Sequence, residues 1–209
     1  MSRGLFVTFE GVDGCGKTTQ VARAAALMSR RGVEHVVTRE PGGSEVGERV
    51  RDLLISPEYR EMGTRCEVLL YLAARAQHVD EVIRPALAGN KVVLCDRFQE
   101  ATLAYQGFGR GVDRELLRRL NSYATGGLEP DHTFVFDVDV DEAHRRRLAM
   151  GKVSDRMESS SRDFHERVRR GYLDLAACSA DRMTVLDGAK GTDELAEEVA
   201  AALVSLTNP

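Results

Sequence analysis

The chain has 209 residues, 43% hydrophobic and 30% charged, ordinary values for a globular domain long enough to bury a core. A net charge of −4 gives no electrostatic reason to expect a nucleic-acid duplex or an anionic membrane as partner. Nothing approaches the run of about 18 apolar residues that a span requires, and MSRGLFVTFEG holds no long apolar leader, so the expectation is one soluble, cytoplasmic domain over 1–209.

A short apolar run, Leu5, Val7 and Phe9, reads as a buried strand. It ends in a glycine-rich turn that opens into a helix over Thr18–Arg31. The turn matches G-x-x-x-x-G-K-[ST], with Gly11, Gly16, Lys17 and Thr18 in the fixed places. Glycines let backbone N–H groups curl around phosphate oxygens, and the helix aims its positive end at the same anion. Lys17 then reaches the β- and γ-phosphates and the Thr18 hydroxyl is a Mg²⁺ ligand, so the motif points to a nucleoside triphosphate.

A second strand, His35–Thr38, runs into Arg39-Glu40-Pro41-Gly42-Gly43, and apolar residues at 46, 50, 53 and 54 make Glu45–Ile55 a helix. Thr64 to about Ala88 reads as a long helical region interrupted by Pro85. Val92–Cys95 is a strand buried on both faces, followed by Asp96 and Arg97. Helices over 102–105 and 113–125, a strand over His132–Val138, a helix capped by Asp141, a helix over Ser161–Ala177, a strand over Met183–Leu186 and a helix over Thr192–Leu206 complete the chain. Strands alternating with helices indicate an α/β parallel sheet. Ligands are then expected beyond the carboxyl ends of the strands, where Arg39, Glu40, Asp96, Arg97 and Asp137 fall. The cysteines, Cys15, Cys66, Cys95 and Cys178, form no C-x-x-C pair, which argues against zinc and against a disulfide framework. Cys95 reads as core. Cys15 reads as a small residue at a variable loop position, although Lys17 and the helix terminus are surroundings that activate thiols.

A phosphate loop serves GTPases, DNA-dependent ATPases and small-molecule kinases alike. Asn90-Lys91 is followed by two valines, so a guanine motif is missing, and no basic stripe appears. Arginines near strand ends suit phosphoryl transfer to an anionic acceptor.

The segments FEGVDGCGKTT, TREPGGSEVGERVRDLL, EVLLYLAARAQH, VVLCDRF, ATLAYQGFGRG, LEPDHTFVFDV and SDRMESSSRDFHERVRRGYLDLA, in this order, resemble the thymidylate kinase family, closest to its bacterial members. The resemblance implies the P-loop nucleoside monophosphate kinase fold: a parallel five-stranded sheet flanked by helices on both faces, with a mobile lid at about 148–160. It implies transfer of the ATP γ-phosphate to dTMP with Mg²⁺, in a homodimer. Gly11, Val12, Asp13, Gly14, Cys15, Gly16, Lys17, Thr18 and Thr19 would cradle the donor phosphates, with Thr18 and Asp96 toward Mg²⁺. On the acceptor side the resemblance assigns Tyr71 to stack on thymine, and Arg75, Thr102 and Gln106 to its polar edge. Tyr105 goes to the deoxyribose, Arg51 and Arg97 to the phosphate, and Asp13 and Glu40 to the same substrate. Arg156 and Lys152 correspond to lid cations that act on the transferring phosphoryl, joining Lys17, Arg97 and Asp13 as catalytic residues. The chain carries Tyr71 where the family often has phenylalanine, and Ala101 where a serine is common. The competing reading is another small-molecule P-loop kinase, such as a deoxynucleoside kinase with Glu10 or Glu40 as base. A nucleotide-binding scaffold without turnover is a further alternative, opposed by the intact Lys17, Thr18, Asp96 and Arg97.

Overall fold

The computed structural model describes residues 3–149, 151, 156–157 and 160–207. Five parallel strands, β1 (Phe6–Glu10), β2 (His35–Arg39), β3 (Val92–Asp96), β4 (His132–Asp137) and β5 (Met183–Asp187), form one sheet in the order β2-β3-β1-β4-β5. Side chains alternate across the pleat, which sorts the apolar residues of β1 and β3 between two faces. Val7, Phe9, Val92 and Leu94 join the larger core, with Val21, Ala24 and Met28 of helix α1 (Lys17–Arg30) and Leu195 and Val199 near the C-terminus. Phe6, Val93 and Cys95 face the other way, onto Ile83, Ala86, Leu87 and Phe98. Both faces are therefore covered, as a parallel sheet requires.

The remaining helices are α2 (Glu45–Ile55), α3 (Thr64–His78), α4 (Arg84–Ala88), α5 (Gln99–Thr102), α6 (Arg114–Thr125), α7 (Val140–Ala149), α8 (Arg162–Cys178) and α9 (Thr192–Thr207). Two boundaries differ from the sequence reading. Pro85 does not interrupt the helical region. A π-helical turn over Val79–Ile83 joins α3 to α4, with the Arg84 N–H bonded to the Val79 carbonyl, and the proline sits in the first turn of α4, where a missing N–H is tolerated. Asp141 does not cap α7. The Asp139 Oδ1 accepts the Asp141 N–H at 2.9 Å, and Asp141 lies in the first turn, bound to Arg162. The last residues of β2, β3 and β4 are Arg39, Asp96 and Asp137, so the polar strand ends gather at one sheet edge. Most of the expected lid lies outside the described residues, Lys152 included.

Candidate functional site

The loop from β1 into α1 is shaped by close backbone approaches. Gly14 has φ +89°, and a Cβ there would lie 2.2 Å from the Ala143 carbonyl oxygen. Gly16 has φ +99° and no side chain among the described residues caps α1, whose first turn has no acidic residue, so its N–H groups are left for an anion. Lys17 is buried, its Nζ donating to the Val12 carbonyl at 3.0 Å and lying 3.7 Å from the Cys15 sulfur. Cys15 is itself fully buried, a packing residue of the loop. The Thr18 hydroxyl donates to Asp96 Oδ2 at 2.6 Å, which joins the two residues expected at a Mg²⁺. Two hard oxygen groups beside a phosphate cradle fit Mg²⁺, which keeps several waters and takes few protein ligands. Thr19 is exposed.

Beside this loop lies a cavity open to solvent. It is lined by Asp13, Glu40, Arg51, Tyr71, Arg75, Arg97, Thr102, Tyr105 and Gln106, all nine residues expected on the acceptor side, with Pro41, Ile55, Ala101 and Met157. Asp13 also borders a second groove, formed with Val12 of the loop and with His144, Arg147 and Arg162, so one carboxylate lines both.

Arg97 follows β3 directly and holds φ +74°, a left-handed conformation that a non-glycine residue keeps only when its surroundings fix it. Its backbone N–H bonds the Phe9 carbonyl. Its guanidinium donates to Asp13 (2.6 Å), Tyr172 (2.9 Å) and Tyr105 (3.2 Å), and it lies 5.0 Å from the centre of the Tyr105 ring. Burial alone would raise the Asp13 pKa, but the charges of Arg97 and Lys17 and the bonds from Tyr105 and Arg97 hold it well below the usual carboxylate range. The Tyr105 hydroxyl donates to the other Asp13 oxygen at 2.9 Å, a demand that a tyrosine packed only for its ring would not meet.

Arg75 is 2% exposed. It donates from Nε to Glu40 (2.8 Å), from Nη1 to Thr102 (2.8 Å) and Asn121 (2.5 Å), and from Nη2 to the Phe98 carbonyl (2.9 Å). A guanidinium has five N–H donors, so one on Nη2 stays uncommitted among the described residues. Glu40 lines the cavity with both oxygens engaged, one by Arg75 and one by His78 Nδ1 at 3.0 Å. Its carboxylate therefore works through Arg75. Arg51 donates to the Pro41 carbonyl at 2.8 Å, and Tyr71 is half-buried at the cavity wall. Gln106 donates Nε2 to Glu67 at 2.9 Å.

A family model described as thymidylate kinase matches residues 9–199. The chain belongs to the thymidylate kinase family. It is 47% identical over 205 residues to a thymidylate kinase of Desulfovibrio desulfuricans, covering 95% of this chain and 94% of that one. It is 49% identical over 188 residues to a thymidylate kinase of Pelotomaculum thermopropionicum, covering 90% and 87%. The crystal structure of thymidylate kinase from Ehrlichia chaffeensis superposes with a TM-score of 0.77 at 36% identity, covering 96% of this chain and 99% of that one.

Arg156 lies apart from the phosphate loop. Nε donates to the Leu54 carbonyl at 2.9 Å and Nη1 to Glu67 at 2.6 Å, so the side chain is held against α2 and α3 on the acceptor side. Of the three arginines before the lid, Arg145 and Arg146 pair with Glu142, and Arg147 approaches His144 Nδ1 at 3.0 Å. Asp137 forms a two-point bond with Arg169 and is committed to the scaffold.

Four polar residues around the site escaped the sequence reading: Glu67, His78, Asn121 and Tyr172. Glu67 carried a usable signal, since Glu67, Tyr71 and Arg75 are spaced i, i+4, i+8 along α3. Tyr172, Asn121 and His78 carried none, because each meets its partner across a large sequence gap. Glu10 accepts the Phe98 N–H at 2.6 Å and the Tyr172 hydroxyl at 2.8 Å. Burial, against the pull of Arg97, pushes its pKa up to about 8.

Proposed function

We propose that this chain transfers the γ-phosphate of ATP to dTMP, giving dTDP and ADP. The observation that carries the reading is the union of nine separate side chains in one cavity that shares Asp13 with the phosphate loop. A nucleoside monophosphate seated there would lay its base on Tyr71, under Arg75, Thr102 and Gln106. Its phosphate would meet Arg97 and Arg51. Tyr105, tied to Asp13, would flank the sugar.

The nucleophile is already an anionic oxygen, so alignment and charge neutralisation carry the chemistry and no strong base is needed. Lys17 and the α1 terminus hold the donor phosphates. Arg97, braced on three sides, presents a planar fork to the acceptor. Thr18 and Asp96 would hold Mg²⁺, which would supply positive charge to offset that of the phosphates. Arg156 and Lys152 are proposed as lid cations, with Arg156 leaving its bonds to α2 and α3 to act. The deoxynucleoside kinase reading needs an open general base. Glu10 is sealed beneath Phe98 and Tyr172, and Glu40 is spent on Arg75 and His78.

The test is ADP release with dTMP, dUMP, dCMP, AMP and thymidine as acceptors. Turnover greatest with dTMP is expected. Turnover with thymidine but not dTMP overturns the reading.

A further inference from the structure

The wall of the acceptor cavity presents hydrogen-bonding groups in a fixed order, and a residue outside the cavity sets that order. Gln106 is a side-chain amide, and an amide can be turned end for end at no cost in shape. A carbonyl or an NH₂ could equally face a bound base. Glu67 removes the ambiguity. It is fully buried, and its Oε1 takes the Gln106 Nε2 at 2.9 Å. Arg110 donates to both its oxygens at 3.1 Å, and Arg156 donates to Oε2 at 2.6 Å. Burial disfavours its charge, but these bonds from Arg110, Gln106 and Arg156 hold its pKa below the usual value, so it stays ionised. A carboxylate only accepts hydrogen bonds. The NH₂ must point at Glu67, and the carbonyl is left for the cavity.

The neighbouring groups are fixed with the opposite polarity. Among the described residues Arg75 has one uncommitted N–H on Nη2. Thr102, whose oxygen already accepts from Arg75 Nη1 at 2.8 Å, has its own hydroxyl hydrogen to give. Together the wall offers donors beside one acceptor. A keto pyrimidine carries the matching pair, an O4 acceptor next to an N3–H donor. Cytosine carries the reverse, an N4 amine next to an unprotonated N3, and would set acceptor against acceptor at Gln106.

We infer that Glu67 is a positioning residue for base selection: by fixing the amide of Gln106, it makes the cavity accept thymine or uracil and reject cytosine. The inference rests on the assignment of the cavity to a pyrimidine monophosphate acceptor. The experiment measures kcat/KM with dTMP and with dCMP for the wild type, Glu67→Gln, Arg110→Met, Gln106→Leu and the Glu67→Gln/Gln106→Leu double variant.

Glu67→Gln can offer either end of an amide and so releases Gln106. The dTMP-to-dCMP ratio is expected to fall roughly tenfold or more. Gln106→Leu is expected to fall similarly, and the double variant no further than Gln106→Leu, because Glu67 acts only through that amide. Arg110→Met removes a comparable ion pair from Glu67 but leaves the Gln106 bond, so the ratio should hold even where thermal stability drops. An unchanged ratio in Glu67→Gln, with the ratio lost in Gln106→Leu, overturns the inference alone. No turnover of dTMP by the wild type, or an unchanged ratio in Gln106→Leu, overturns the reading of the cavity instead. If Glu67→Gln does not fold, hydrogen exchange of the Gln106 side-chain amide in the wild type decides. Protection with and without dTMP is expected, and exchange at the rate of an exposed glutamine overturns the proposal.

Discussion

At the scale of single residues the cavity is lined by two arginines, Arg75 buried and Arg97 half-buried, that differ in how much of the fork is free. Arg75 has four donors committed to protein and, among the described residues, one left over on Nη2. Arg97 is held by Asp13, Tyr105 and Tyr172, and lines the cavity with Asp13 and Tyr105. Arg97→Ala is therefore expected to lower turnover on dTMP at least tenfold, on the order of 1.4 kcal/mol or more. ATP binding should persist. Steady-state kinetics with an ATP-binding measurement checks both, and near-normal turnover would reject the acceptor role. Tyr172→Phe removes one brace of Arg97 and one donor to Glu10, and is expected to raise the KM for dTMP with little change in that for ATP. These arginines were legible because each follows or shares an element with a recognisable motif. The pairing of Glu10 with Tyr172 was not, since residues 162 positions apart reveal their partnership only when the sheet forms.

At the scale of elements the site depends on where helices begin and how tightly they wind. The α2 helix, which carries Arg51, starts at Ser44, whose buried hydroxyl accepts the Gly47 N–H at 3.1 Å. Ser44→Ala should cost about 1 kcal/mol by removing that cap, measured by denaturant unfolding, and should weaken dTMP binding through Arg51. A firmer constraint sits in the phosphate loop. Gly14→Ala places a methyl 2.2 Å from the Ala143 carbonyl at a positive φ, so the loop must move. A stability loss of about 1–3 kcal/mol with loss of ATP binding is expected. The pair Thr102 and Gln106 was read from a four-residue spacing suited to an α-helix. The chain there winds from α5 into a π-helical stretch over Leu103–Gly109, a wider register that still brings both side chains to the cavity. Apolar periodicity marks a helix but does not distinguish these windings, because π turns answer to packing against α6 and α8.

At the scale of the whole molecule two properties follow from burial. Glu10 keeps a proton in the folded state up to about 8, whereas its ordinary value is 4.5. Between those values the native state binds more protons than the unfolded chain. This contribution to stability is fully present below 4.5 and is lost as the pH rises through 8. Glu10→Gln removes the titration. The wild type should lose stability relative to that variant across this interval, as denaturant unfolding at a series of pH values would show. Parallel curves would place the titration elsewhere. The second property is an apolar surface. Leu69 on α3 is 60% exposed and Tyr123 on α6 is 89% exposed, with Leu53 and Leu116 also open on α2 and α6. We propose that these side chains of α2, α3 and α6 meet a second copy of the chain in a homodimer. Sedimentation should give a dimer that Leu69→Lys weakens, and a concentration-independent monomer would remove the proposal.

No helix among the described residues is long and apolar enough to cross a membrane. By itself the sequence determined the phosphate loop, the alternation of strands and helices and the family. Those rest on local chemistry: glycines where backbone must approach an anion, apolar runs where strands are buried on both faces. Only the tertiary structure decided which polar side chains answer one another. Glu40 turned out to hold Arg75, Asp137 to hold Arg169, and Glu67 to hold both Gln106 and Arg156. The reason is physical. A buried charge needs a partner within hydrogen-bond reach, and that partner is chosen by the packing of elements distant in sequence.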